Sequence, residues 1–492
     1  MVAREEEGRP ASGVLQIDER HPAGKGSGLW SVRNSLALLM HFSNFVAFSH
    51  RVTLSIAIVA MANGTGQWGL NNISSEGPSA GPVHPNGSFL QDATGARVYD
   101  WSSETQGVIL SAIFYGYLLT QIPGGYLAGL LGGKLVAGAG LLVSSALTLL
   151  TPLASDLGAA YLVGLRVAQG MAQGVIIPAQ FTLWAKWAPP LERSRLVNFS
   201  SAGISFGIFL TLIVGGVISH SLGWPSIFYI FGGVGCVCCL LWFSLVYKDP
   251  QSHPFIGASE KEFITSSLTQ QGSSHGRTVP ISAMLTSLPL WAISVAFFSN
   301  YWLYITLLTS LPMYMKTVLH FNIREGGFLS SLPYIASWFS GSLVGLLADL
   351  LLSKNICSLI TLRKLFSALA MLIPSAFLVA VSYMDSNYIT AVVLLTLSLV
   401  IRSLSGAGCL INHMDIAPRF AGFLQGVTST FGTISGVITP SAVGFFTSQD
   451  ASAGWRKVFF LSAAINLFGL IFYVIFGKVE IQDWARVELE LR

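Results

Sequence analysis

The stretch Gly125-Tyr-Leu-Ala-Gly-Leu-Leu-Gly-Gly-Lys134 follows a long apolar run, and it returns later in the chain as Gly345-Leu-Leu-Ala-Asp-Leu-Leu-Leu-Ser-Lys354, again behind an apolar run. One copy alone would read as small residues packing helices together. Two copies, each placed after the second apolar run of its own half, divide the chain into halves of like design. Working outward from them, apolar runs bounded by charges, Gly/Pro clusters and Asn-rich loops give twelve candidate helices, six per half. Their centres lie near Phe45, Tyr117, Leu142, Ala172, Gly207, Gly235, Tyr304, Trp338, Leu372, Val400, Gly432 and Phe468.

Composition agrees with this reading. Of 492 residues, 52% are apolar and 10% charged, with a mean hydropathy of +0.62, whereas soluble domains carry charge on roughly a quarter of their residues. A hydrocarbon core about 30 Å thick asks for about 20 apolar residues per helical span, and the chain supplies such runs repeatedly. The expected fold class is therefore an all-α membrane protein of twelve transmembrane helices in two six-helix halves, with the lipid bilayer as its solvent. A net charge of +4 without a basic stripe interleaved with aromatics gives no nucleic-acid partner. Cys236, Cys238, Cys239, Cys357 and Cys409 all lie in or beside apolar runs, so they read as packing residues, and no metal site is expected.

The organisation follows from the same runs. Residues 1–30 are a charged, glycine-rich cytosolic tail, 31–248 the first half, 249–285 a cytosolic linker, 286–478 the second half, and 479–492 a second cytosolic tail. The loop at 63–103 carries the sequons of Asn63, Asn72 and Asn86, which are candidate glycosylation sites. Orientation comes from Lys and Arg, which short cytoplasmic loops retain. Arg33, Lys134, Lys186, Arg193, Arg195, Lys354, Arg363, Lys364, Arg419 and Lys478 all fall on one side, and Lys316, Arg324, Arg456 and Lys457 are the exceptions on the other. Both termini should then be cytosolic and the sequons should face outside or into a lumen.

Two parallel halves around a central cavity are the architecture of the major facilitator superfamily, and both quoted segments resemble its loop signature G-x-x-x-D-x-x-G-[RK]. Gly125, Gly345 and Asp349 match it, while Gly129 replaces the aspartate of the first copy. Within such a bundle a buried charge costs roughly 2.5–3.5 kcal/mol on insertion scales and is a site candidate by default. Arg51 in span one, Arg166 in span four and Arg402 in span ten stand out. Arg51 and Arg166 have few acidic neighbours in their spans, and a guanidinium fork suits a carboxylate or phosphate. The expected substrate is a small anion, held by Arg51 and Arg166 in a pocket shaped by Gln169, Gln173, Tyr115 and Asn300. The alternative is that each arginine bonds helix-end carbonyls, and Arg402 is open between a site residue and a structural charge. His41, Asn44, His50 and Tyr301 are further polar groups at cavity depth, Asp349 reads as a gate or capping residue, and no hydrolase or nucleotide-binding motif appears in a supporting context.

Five segments carry a closer resemblance: Trp101-Ser-Ser-Glu-Thr-Gln-Gly107, the run from Tyr115 to Tyr126, Trp187-Ala-Pro-Pro-Leu-Glu-Arg-Ser194, Phe328-Leu-Ser-Ser-Leu-Pro-Tyr334 and Ile411-Asn-His-Met-Asp-Ile-Ala-Pro418. Here the chain resembles the anion/cation symporter family, which includes sialin, the vesicular glutamate transporters and the kidney-type sodium/phosphate and urate cotransporters. The resemblance implies alternating-access carriage of organic anions or phosphate, with Na⁺ or H⁺ as the coupling ion, and substrate contact by the arginine matched at Arg51. Proton-coupled members carry two glutamates at the positions of Gln169 and Gln173 and a histidine at Phe181, and the glutamate transporters carry an arginine at Asn300. Those departures point to the urate and phosphate branch, sodium-linked or driven by membrane potential, and an N-terminal tail without the acidic dileucine that sends sialin to lysosomes favours a plasma-membrane, apical address. The alternatives are a proton-coupled sialic acid, acidic sugar or acidic amino acid transporter of lysosomes or vesicles, and a non-transporting anion receptor.

Overall fold

A computed structural model of the chain describes residues 31–61, 97–269, 279–317, 323–383, 388–447 and 451–486. The sequons of Asn63, Asn72 and Asn86 and both chain ends lie outside the described residues. The first half holds α1 (Val32–Met61), α2 (Ser103–Leu131), α3 (Gly133–Leu157), α4 (Ala159–Gly174), α5 (Ile176–Trp187), α6 (Arg193–Leu222) and α7 (Trp224–Leu245). The linker forms α8 (Ala258–Thr269) and α9 (Ile281–Leu285). The second half holds α10 (Leu288–Thr317), α11 (Ile323–Ser353), α12 (Leu359–Val381), α13 (Tyr388–Arg402), the short α14 (His413–Ile416), α15 (Ala421–Thr447) and α16 (Ala451–Phe476).

Among the described residues, eleven helical segments are long and apolar enough to cross a membrane. The twelfth crossing, α15, has the length but is diluted by Thr428, Ser429, Thr430, Thr433, Ser435 and Thr439, most of whose hydroxyls bond the carbonyl one turn back. That back-bonding is how polar side chains are tolerated where water is absent.

Two crossings are interrupted, and they occupy the same place, the fourth, in each half. Span four breaks between α4 and α5 at Val175, because Pro178 has no N–H to offer the Gly174 carbonyl. Span ten leaves α-geometry after Arg402 and continues as a 3-10 turn, Ser403–Gly406, where Ser403 Oγ takes the Val400 carbonyl at 2.6 Å and Ser405 Oγ takes the Arg402 carbonyl at 2.7 Å.

The quoted repeats set the contact between the halves at the face bearing Arg33, Lys134, Arg193, Lys354 and Lys478, the basic face. Gly125 in α2 lies against the backbone of Gly422 in α15, where a Cβ would come 2.9 Å from Phe423 Cα. Gly345 in α11 lies against the start of α6, where a Cβ would come 2.7 Å from Arg195 Cα. Each half thus presents its repeat glycine to the other. Asp349 adds a cap: its Oδ2 accepts the Arg195 N–H at 2.7 Å, satisfying a first-turn donor of α6. Gly129 has open space around it, so the first copy has no equivalent cap.

Buried charge completes the closure of this face. Asp415, from α14, takes Arg363 of α12 at 2.8 Å and Arg193 of α6 at 3.5 Å, so one carboxylate joins the two halves. Arg33 at the start of α1 bonds Glu192 at 2.6 Å and Glu260 of α8 at 2.9 Å, which docks the linker helix on the first half. Deeper in, Gln121 Nε2 donates to Thr433 Oγ1 at 3.0 Å and Trp338 Nε1 to His41 Nε2 at 3.4 Å, both across the interface.

Candidate functional site

At mid-depth of the first half, α1 presents His50 and Arg51 to α3, α4 and α7. Arg166 of α4 is 2% exposed and points at the backbone of α1: Nη1 donates to the His50 carbonyl at 3.4 Å and Nη2 to the Arg51 carbonyl at 3.3 Å. Its Nη1 also reaches Gln169 Oε1 at 2.7 Å, and Gln169 Nε2 passes the chain to Thr148 of α3 at 2.7 Å. One turn on, Gln173 Nε2 donates to Ser144 Oγ at 3.0 Å while its Oε1 accepts Arg51 Nη2 at 3.4 Å. His50 Nε2 lies 3.0 Å from the Phe231 carbonyl and Nδ1 lies 3.3 Å from Ser144 Oγ. A carbonyl only accepts, so Nε2 carries the proton and Nδ1 accepts from Ser144. The result is a continuous network through four helices.

Arg51 itself projects from that network towards the second half. Its guanidinium carbon sits 4.5 Å from the ring centroids of both Phe48 and Tyr117 and 5.8 Å from that of Phe114, an aromatic cage that stabilises a cation without neutralising it. Its Nε is buried without a hydrogen-bond partner among the described residues.

Across the interface, Arg402 at the break in span ten donates through Nη1 to Asn300 Oδ1 of α10, and its guanidinium carbon lies 4.4 Å over the Tyr304 ring. Tyr301, packed against Gly432 of α15, has its ring centroid 6.2 Å from that of Tyr304, the ring beneath Arg402. Among the described residues no carboxylate pairs with Arg51, Arg166 or Arg402; the ion pairs present all lie towards the two faces. Among those residues no group of three His, Cys, Asp or Glu side chains could hold a metal.

The structure therefore brings Arg51, Arg166, Gln169 and Gln173 together and sets Asn300 opposite them. It does not bring in Tyr115, which is 51% exposed on the outer side of α2. Two residues along a helix turn the side chain by about 200°, and Tyr117, 7% exposed, takes the place beneath Arg51. Gly125, Gly345 and Asp349 are at the basic-face contact rather than in the cavity. The sequence reading missed Tyr117, Tyr304 and Gly432 and left Arg402 open.

The profile described as Major Facilitator Superfamily matches residues 40–440. Mouse sodium-dependent phosphate transport protein 3 is 54% identical over 471 residues, covering 96% of this chain and 98% of that one. The human protein described as "Probable small intestine urate exporter" is 48% identical over 477 residues, covering 97% and 96%. Among solved structures, the proton:xylose symporter XylE bound to 6-bromo-6-deoxy-D-glucose superposes with a TM-score of 0.69 at 14% identity, over 91% of this chain and 96% of that one. At that identity the likeness is one of fold.

Proposed function

The chain belongs to the Major Facilitator Superfamily, and from that premise we propose that it is a secondary transporter of small organic anions and phosphate, sodium-linked or driven by membrane potential, working by alternating access. The observation that carries the reading is Arg51: a guanidinium at the meeting of the two halves, caged by Phe48 and Tyr117 and without a carboxylate partner among the described residues. An unneutralised cation at mid-depth is costly unless an anion visits it. The names of the relatives support the substrate class, since one is a sodium-dependent phosphate transport protein and one is described as a urate exporter.

In this reading Arg51 is the first-half substrate contact, and Arg166 is a positioning residue that fixes the α1 backbone beneath it. Gln169 and Gln173 relay that order to α3 and cannot titrate, which supports coupling to sodium or voltage rather than to protons through these two positions. The closed basic face describes one end of the cycle, and rocking the halves about the central site would open it.

The test is uptake of labelled urate and of inorganic phosphate into proteoliposomes holding the purified chain, with sodium, proton and voltage gradients imposed one at a time. A sodium gradient or a potential should drive uptake that Arg51→Gln abolishes. No uptake of either anion under any gradient, by protein that remains monodisperse, would overturn the proposal.

A further inference from the structure

Arg402 in α13 is a half-buried charge that the network around Arg51 and Arg166 does not include. A structural arginine inside a membrane satisfies its donors on carbonyls, as Arg166 does on α1. Arg402 donates instead to a side chain, Asn300 Oδ1, and its Nε, like that of Arg166, is buried without a partner among the described residues. Asn300 Nδ2 and Tyr304 Oη beside it are likewise buried with no hydrogen-bond partner among the described residues. Leaving a buried donor unmade is expensive. Arg402 Nε, Asn300 Nδ2 and Tyr304 Oη are three donors in one place, held by α13 and α10, and the carboxylate or phosphate that would fulfil them is not supplied by the described residues.

The position strengthens the argument. Arg402 is the last α-helical residue before the break in span ten, and Gln173, which orients Arg51, lies two residues before the break in span four. Interrupted helices at corresponding places in two structural repeats mark the substrate site of a transporter, because backbone freed from helical bonding is tolerated only where it lines a cavity. Tyr301 adjoins the Arg402 group through Tyr304, its ring centroid 6.2 Å from that of Tyr304, over which Arg402 lies at 4.4 Å.

We propose that Arg402, Asn300 and Tyr304 form a second anion subsite in the second half, facing Arg51 across Tyr117 and Tyr301, so that the preferred substrate is a planar, ring-bearing anion with acceptor atoms on opposite edges that bridges the two halves. The inference rests on the transporter reading and deepens it. A substrate held at both ends is complete only when the halves are together, so occupancy and closure are linked. A compact anion such as phosphate reaches one guanidinium at a time and is held more weakly.

The experiment compares anions that share one ring but differ in their number of charged ends. Benzoate, isophthalate and terephthalate are tested for competition with labelled urate uptake, and for thermal stabilisation of the purified protein, in wild type, Arg402→Gln, Arg402→Lys, Tyr304→Phe and Arg51→Gln. In wild type at least one dicarboxylate should bind about 10–100-fold more tightly than benzoate, the worth of a second charge-assisted contact. Arg402→Gln should bring that dicarboxylate down to the benzoate level while benzoate changes little, and Arg51→Gln should weaken all three. If Arg402→Gln does not fold, Arg402→Lys and Tyr304→Phe decide, each expected to shrink the dicarboxylate advantage several-fold. A wild-type dicarboxylate advantage that all the Arg402 and Tyr304 variants retain, or no advantage in wild type, overturns the subsite and leaves the transporter reading intact if urate uptake persists. Loss of uptake and stabilisation by every anion in wild type overturns the transporter reading itself.

Discussion

Arg166 donates to the His50 and Arg51 carbonyls and to Gln169, whereas Arg51 donates to Gln173 and otherwise faces the rings of Phe48 and Tyr117. Their replacements should therefore differ in kind. Arg166→Gln removes the donors that tie α4 to the α1 backbone and leaves the buried Gln169 Oε1 without its partner, at about 1–3 kcal/mol, so the purified protein should lose several degrees of thermal stability along with transport. Arg51→Gln forfeits a cation–π cage worth about 0.5–2 kcal/mol and relieves an unpaired charge, so melting should move little while anion uptake is lost. Equal melting losses in both variants would remove the distinction between positioning and contact. The sequence picked out both arginines because charge is rare in a span, but it could not separate them. What distinguishes them is which acceptors another helix brings, and that is a property of packing. The same limit explains Tyr115, since α2 is apolar on every side and gives no phase by which to prefer it or Tyr117 for the interior.

At the scale of elements, the repeats that divided the chain turn out to be the contacts that seal it. Gly125 admits α15 against α2, and Gly345 admits α6 against α11. Gly125→Val places a branched side chain where Gly422 and Phe423 backbone lies, so the sealed basic face should not form and the protein should be trapped in other states. Asp349→Ala removes a helix cap worth about 0.5–2 kcal/mol and should shift the same balance by less. The measurement is labelling of a cysteine introduced in the cavity by an impermeant reagent added from the basic face, in a background lacking Cys236, Cys238, Cys239, Cys357 and Cys409. Labelling should rise strongly for Gly125→Val and modestly for Asp349→Ala, with urate exchange slowed in the order of the labelling; unchanged labelling in Gly125→Val would mean that these glycines only pack helices. The existence and order of the twelve crossings were legible because each hydrophobic run had to span the bilayer. The breaks in spans four and ten were not. Pro178 announces one of them, but the other rests on serine hydroxyls competing for carbonyls near Arg402, a local preference that the surrounding structure can override either way.

For the whole molecule, the decisive quantity is the charge that crosses the membrane field in one cycle. Arg51 and Arg402 stand near the centre with no carboxylate to balance them among the described residues, so the empty site is positive and a bound anion offsets it. Moving an anion inward must then work against an inside-negative potential and with an inside-positive one. The scale is about 2.3 kcal/mol per charge for 100 mV, or roughly fifty-fold in accumulation of a monovalent anion. In sodium-free proteoliposomes, an inside-positive potential set by a potassium gradient and valinomycin should raise labelled urate uptake, and an inside-negative one should suppress it. Adding an inward sodium gradient at zero potential should also drive uptake if sodium shares the cycle, and potential dependence that weakens or reverses with sodium present would report how many cations accompany each anion. The glutamines at 169 and 173 give this prediction its edge. Neither can carry a proton through the network that holds Arg51, so an inward proton gradient applied without a potential should leave uptake nearly unchanged. Strong proton-driven uptake instead would assign the coupling to another titratable group, such as His50 within the network or Asp349 outside it, and return the proton-coupled acidic-sugar reading to first place.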